Sequence, residues 1–76
     1  MKVVMMRVFG MTCDECVAAV RRGLESTRGV VGADVSLEDG TARVLVDDDV
    51  DPGHLEEIPV FTSGHYRAQV RSVEDA

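Results

Sequence analysis

The first third of the chain has the pattern of a buried strand followed by an amphipathic helix. Residues 2–9 are mostly apolar and β-branched and stop at Gly10, which is typical of a strand. Thr12 followed three residues later by Glu15 has the form of a capping box and predicts that a helix begins there. Residues 26–29 predict its end. Between these points, apolar side chains recur at helical spacing, at Val17, Val20 and Leu24.

A hairpin follows the helix. Residues 31–37 and 42–46 both alternate apolar side chains with smaller or polar ones, which is the period of a half-buried strand. The segment between them, 38–40, reads Glu-Asp-Gly and is a turn signal. The two runs therefore predict an antiparallel pair.

The remaining pattern predicts a weak second helix and a last strand. Asp51 followed by Pro52 fits an N-cap and a first helical residue. Gly53 in the first turn and Pro59 further on both disfavour a long helix, so we expect a short, frayed one. The last strand is expected at Tyr66–Val70.

The predicted order is β-α-β-β-α-β, which indicates the α+β class. We expect a ferredoxin-like sandwich, with both helices on one face of a four-stranded antiparallel sheet. At 76 residues the chain predicts a single domain over residues 1–76 with a small core. A second domain or a dinucleotide-sized pocket would not fit.

Charge and composition exclude several functions. The chain has 8 Lys and Arg against 14 Asp and Glu, a net charge of −6, and it has no Trp. A protein of this charge is a poor ligand for a phosphate backbone, so nucleic acid is not an expected partner. The apolar runs, such as residues 3–6, are too short for a signal peptide or a membrane span. We therefore expect a cytoplasmic protein that does not insert into membranes.

Cys13 and Cys16 are the residues that indicate chemistry. Their spacing places both thiols where the first strand passes into the first turn of the helix. Unpaired N–H groups and the partial positive charge of a helix N-terminus favour the thiolate. Two thiolates suit the soft d10 ions Cu(I), Ag(I) and Hg(II). Zn(II) is less suited, because it normally takes four ligands.

Other interpretations of these residues are weaker. A thioredoxin-like redox pair also lies at a helix start, but its Trp and Gly-Pro neighbours are absent here. A zinc site built with His54 and His65 fails on spacing, because 37 residues separate Cys16 from His54. The acidic run 47–51 lacks the Gly and the Glu of a calcium loop and is better read as a solvated turn.

The chain resembles the heavy-metal-associated (HMA) domain family over nearly its whole length. The residues that carry the resemblance are Gly10-Met11-Thr12-Cys13-x-x-Cys16, Gly29-Val30, Val35-Ser36-Leu37 and Gly64-His65-Tyr66. The family includes copper chaperones, metal-binding modules of copper and heavy-metal P-type ATPases, and mercury-handling proteins. The same βαββαβ order is expected from it.

The resemblance implies roles for individual residues. Cys13 and Cys16 would be the metal ligands, and Met11 would pack beneath the loop and hold its shape. Tyr66 would face the metal, and Thr12 is a further candidate neighbour. The family usually has Gly directly before this Tyr. Here His65 intervenes, which makes His65 an additional candidate neighbour of the metal.

These observations predict a non-enzymatic protein that binds a soft metal ion and transfers it by thiolate exchange. The resemblance implies Cu(I) as the cargo. Hg(II) is the alternative, because Asp14 after the first Cys is similar to the amino-terminal domain of mercuric reductase. A disulfide oxidoreductase is a further alternative. The expected partner is a metal-transporting ATPase or a reductase domain with its own thiol pair. We expect a monomer, or a dimer bridged by the metal.

Overall fold

A computed structural model describes residues 1–75 as one four-stranded antiparallel sheet with helices on one face. The sheet order is β2-β3-β1-β4, and the predicted ferredoxin-like order of elements is confirmed. The elements are β1 (Lys2–Phe9), α1 (Asp14–Glu25), β2 (Val30–Ser36), β3 (Thr41–Val46), a 3₁₀ helix (Pro52–Glu57), α2 (Pro59–Thr62) and β4 (Arg67–Asp75).

The core lies between the sheet and the helices. Strand alternation turns every second residue of β1 and β3 toward the helices, and α1 contributes its apolar stripe. No buried polar side chain occurs among residues 1–75. The buried side chains are Val4, Met6, Val8, Val20, Leu24, Ala33, Ala42, Val44, Val46, Leu55, Ile58 and Phe61.

The predicted second helix is present as two short pieces. Asp51 caps the 3₁₀ helix, because its Oδ1 accepts a hydrogen bond from the Gly53 N–H at 3.0 Å. Ile58 is extended, as expected of a residue that precedes a proline. Pro59 then begins the single turn of α2, where its missing N–H costs nothing.

Two predicted boundaries are wrong. The N-cap of α1 is Cys13 rather than Thr12, and no side chain caps the helix. The Thr12 hydroxyl lies near the Cys16 sulfur, at 3.8 Å, instead of a backbone N–H. The last strand is also longer than predicted. It continues past Val70 to Asp75, because β1 offers a partner along its whole length.

The outer edge of β4 is partly covered by the 3₁₀ helix. The Val70 N–H donates a hydrogen bond of 2.8 Å to Oε2 of Glu56. Opposite this point, between Met5 and Met6, the pairing of β1 with β4 shifts register. Together, the bulge and the Glu56 carboxylate interrupt the row of unpaired backbone N–H and C=O groups along the outer edge of β4.

The other face of the sheet is not covered by a helix. Its side chains are the remaining alternate positions of the strands, and we call it the open face. The open face consists of Val3, Met5, Arg7, Phe9, Gly32, Asp34, Ser36, Thr41, Arg43, Leu45, Arg67, Gln69, Ser72 and Glu74.

Candidate metal centre

The two thiols lie at the corner between β1 and α1. The Cys13 carbonyl accepts hydrogen bonds from the N–H groups of Cys16 and Val17, at 3.1 and 3.3 Å, which fixes the first turn. Cys13 is exposed and Cys16 is half-buried. Their sulfurs are 3.3 Å apart. A disulfide bond is about 2.05 Å long, so both thiols are free and face one another.

Gly10 brings a second loop against this corner. It has a φ of +97°, and a Cβ at this position would overlap the carbonyl oxygen of His65. The backbone after α2 therefore approaches the thiol loop more closely than any side chain on Gly10 would permit. This contact brings Tyr66, the residue that follows His65, to the loop between β1 and α1, which we call the thiol loop.

The surroundings of Cys16 favour its thiolate. The pKa of Cys16 is lowered to about 6, mainly because the backbone N–H of Thr12 points at the sulfur. The Tyr66 hydroxyl and the Cys13 thiol lower it further, although partial burial opposes them. The same interaction raises the pKa of Tyr66. Cys16 is therefore charged at neutral pH.

This shift gives a pH profile that can be measured. In the reduced, metal-free protein, we expect alkylation of Cys16 to rise with a midpoint near pH 6, because the thiolate is the reactive form. Mass spectrometry of peptides after a short iodoacetamide pulse gives the profile. The variant Tyr66→Phe should move the midpoint to higher pH, because one stabilising donor is lost. A profile of Cys16 centred near its ordinary value of 9.0 would contradict this account.

The same shift links folding to pH. The folded-state pKa of Cys16 lies below its ordinary value, so the thiolate stabilises the fold at pH values above 9.0. That contribution is lost as the pH falls toward about 6.

The structure brings together most residues that the sequence singled out. Met11 is half-buried and packs against the core. Thr12 and Tyr66 both interact with Cys16. The His65 side chain is exposed, and its ring centroid is 6.3 Å from that of Tyr66.

His54 belongs to a different part of the molecule. It lines a cavity with Arg28 and three aspartates of the acidic run, Asp47, Asp49 and Asp51. Within residues 1–75, no group of three His, Cys, Asp or Glu side chains converges as a metal site would require.

Two contacts at the site were not predicted from the sequence. The N–H of Thr12 acts on the Cys16 sulfur through the backbone, so the side chain of Thr12 carries no signal of it. The approach of His65 to Gly10 joins positions far apart in the chain. Only the glycine itself, placed directly before the loop, could have indicated it.

No helix within residues 1–75 is both long enough and apolar enough to cross a membrane.

Comparison with known proteins decides the family. The profile of the heavy-metal-associated domain matches residues 5–59, which is more than half of the chain. The chain belongs to the heavy-metal-associated domain family. This HMA domain is 51% identical over 43 residues to mercuric reductase of Acidithiobacillus ferrooxidans. It is also 51% identical over 43 residues to the copper chaperone CopZ of Staphylococcus saprophyticus.

The alignments differ in how much of each relative they cover. Both include 57% of the HMA domain, but only 8% of the mercuric reductase and 63% of CopZ. Among solved structures, a copper-binding domain from HMA7, a P-type ATPase, has a TM-score of 0.88 at 28% identity. That alignment covers 99% of the HMA domain and 100% of the ATPase domain. The predicted family and fold are confirmed.

Proposed function

We propose that this HMA domain binds Cu(I) between the thiolates of Cys13 and Cys16 and passes it to a partner. The observation that carries the proposal is the pair of free sulfurs 3.3 Å apart at an exposed corner. One of them is already a thiolate at neutral pH, and no third ligand converges on them within residues 1–75. Two sulfurs and nothing else suit a soft d10 ion.

Exposure of Cys13 supports transfer rather than storage. A thiolate of the partner attacks the bound ion from the solvent side and forms a third metal–sulfur bond. The bond to Cys13 then breaks, and the bond to Cys16 follows as the partner's second thiolate binds. At no stage is the ion free, and a low coordination number leaves a position open for the incoming sulfur. The domain acts here as a binding module rather than as an enzyme.

The partner has to offer a thiol pair of its own at an equally exposed corner. A domain of a metal-transporting ATPase or of a reductase meets this requirement. CopZ and the P-type ATPase domain among the relatives support copper as the ion that is passed on.

Hg(II) is the second candidate cargo. Asp14 and Glu15 lie in the first turn of α1, beside the thiols. Their charges partly offset the +2 charge of Hg(II), which exceeds the charge of Cu(I). The resemblance to mercuric reductase supports this alternative, in which the domain passes the ion to reductase thiols.

A competition titration tests the proposed function. The reduced protein is titrated with Cu(I), Hg(II) and Zn(II) against chromophoric chelators, with a phosphine reductant present. We expect one Cu(I) per chain, bound far more tightly than Zn(II). Asp14→Asn separates the two cargoes: Hg(II) affinity should fall by a larger factor than Cu(I) affinity, because the carboxylate attracts the doubly charged ion more strongly. Tight Zn(II) binding with a carboxylate or His65 as ligand would overturn the two-sulfur site. Metal-free turnover of a dithiol substrate would favour the oxidoreductase.

A further inference from the structure

The distance between the two sulfurs constrains the shape of the group that they can hold together. The Cys13 and Cys16 sulfurs are 3.3 Å apart. With bonds to sulfur of about 2.3 Å, the length that thiolates form with Zn(II), an ion on a straight line between them would need sulfurs about 4.6 Å apart. A tetrahedral angle would need about 3.8 Å. The observed distance corresponds to an angle of about 90° at the bound atom.

An angle close to 90° is the geometry of a trivalent atom that keeps a lone pair, such as As(III). Its three bonds use p orbitals and form a pyramid on the side away from the lone pair. As(III) is also soft, which suits it to thiolate ligands. A linear two-coordinate ion such as Cu(I) can use the same sulfurs, but they first have to separate by about 1.3 Å.

The thiol pair leaves the third bonding direction open. Within residues 1–75, no group of three His, Cys, Asp or Glu side chains converges as a metal site would require. Cys13 is exposed and Cys16 is half-buried, so an incoming group reaches the pair from solvent. The site therefore suits an As(III) atom whose third bond is already made to carbon or to oxygen.

We propose that Cys13 and Cys16 also bind trivalent arsenicals that carry at least two exchangeable oxygen ligands. Arsenite and the monosubstituted organoarsenicals belong to this class. Each sulfur displaces one hydroxyl group from arsenic, so two As–S bonds form and two As–O bonds break. The hydroxyl groups leave as water, with protons from the thiols or, for a thiolate, from solvent. Arsenic stays trivalent throughout, so no oxidant or reductant takes part.

Ring closure is the source of the affinity. Once one sulfur has bound arsenic, the other already lies at the distance that the second bond requires, so this bond forms within the molecule. We expect the pair to bind an organoarsenical roughly 10²- to 10⁴-fold more tightly than a single thiol does. Bound arsenite keeps one hydroxyl group, which a small monothiol can replace. A monothiol should therefore tighten the binding of arsenite and leave that of an organoarsenical unchanged.

Titration of the reduced, chelator-treated protein with phenylarsine oxide tests the proposal. Intact-mass spectrometry should show the gain of one phenylarsenic group per chain and the loss of two hydrogens. The adduct should survive an excess of a monothiol and be removed by a small dithiol, because only a dithiol forms a competing ring. Arsenite, with the monothiol present, should compete for the same site.

A displaced thiol provides the matched control. Cys13→Ser combined with Ser26→Cys keeps two thiols in the chain but puts them at opposite ends of α1. Its affinity for phenylarsine oxide should fall to that of Cys13→Ser alone, which has one thiol. Equal affinity in the original chain and the displaced-thiol variant would overturn the proposal, as would an adduct that an excess of monothiol removes. Circular dichroism of each variant checks that the fold is retained.

A Cu(I) titration in parallel separates this proposal from the proposed function. The two rest on the same thiol pair, so one equivalent of phenylarsine oxide should block the binding of Cu(I). Tight binding of the arsenical without tight binding of Cu(I) would reject copper as the cargo and leave this inference standing. Tight binding of Cu(I) without the two-sulfur arsenical adduct would reject this inference and leave the proposed function standing.

Discussion

Replacing Cys13 or Cys16 by Ser should lower the affinity for Cu(I) by roughly 10³-fold or more, because one of two metal–sulfur bonds is lost. The fold should be retained, since neither side chain belongs to the core, and Cys16→Ser should lose only the stability that the thiolate contributes. Competition with a chromophoric Cu(I) chelator measures the affinity, and thermal unfolding of the metal-free variants measures the stability. The variant with both substitutions should bind no Cu(I) at chelator-buffered concentrations.

A misplaced thiol provides the control. Ser26→Cys, added to the doubly substituted chain, returns one thiol at the other end of α1, away from the loop. This variant should remain without tight binding. Recovery of tight binding there, or stoichiometric tight binding in the double Ser variant, would place the metal site elsewhere.

Gly10→Ala should destabilise the fold by about 3 kcal/mol, because two costs combine. The residue has a φ of +97°, which L side chains rarely adopt, and the added methyl would overlap the His65 carbonyl oxygen. In a domain of this size the change corresponds to a fall of roughly 15 °C in Tm. Thermal unfolding followed by circular dichroism measures it.

Gly64→Ala separates the two costs. Gly64 has a φ of +93°, but nothing lies within 4 Å of the Cβ that the substitution would add. It should therefore cost only about 1 kcal/mol, the backbone cost alone. Equal losses in the two variants would mean that the contact with His65 adds nothing. The Gly10 variant should also show a higher pKa of Cys16, because Tyr66 is displaced along with His65.

Local patterns were enough to predict most elements. The apolar run of β1 and the Glu-Asp-Gly turn of the hairpin depend only on neighbours in the chain, and both are found. The predicted capping box is absent because the Thr12 hydroxyl lies by the Cys16 sulfur rather than at a backbone N–H. The sequence pattern does not show which of these two partners the hydroxyl contacts. The end of β4 was missed because residues 71–75 are mostly polar, and only pairing with β1 makes them a strand.

The candidate site was predictable in its chemistry and not in its arrangement. The spacing of the two cysteines indicated thiolates at a helix start, and the structure places them there. The resemblance implied that Tyr66 faces the metal, although His65 stands where the family usually has Gly. The tight contact at Gly10 turns the His65 backbone toward the loop, and Tyr66 still reaches Cys16. The position of Tyr66 depends on a contact between two loops that are far apart in the chain. The sequence of either loop alone does not predict it.

The carboxylate of Glu56 also has a bearing on how the protein behaves when concentrated. By accepting the hydrogen bond of the Val70 N–H, it occupies a donor that an extended segment of another chain would need in order to join the sheet at β4. Growth of the sheet from this side, which is a route to insoluble fibrils, is thereby obstructed by one side chain. Replacement of Glu56 by an apolar residue would reopen that route while leaving the thiols untouched.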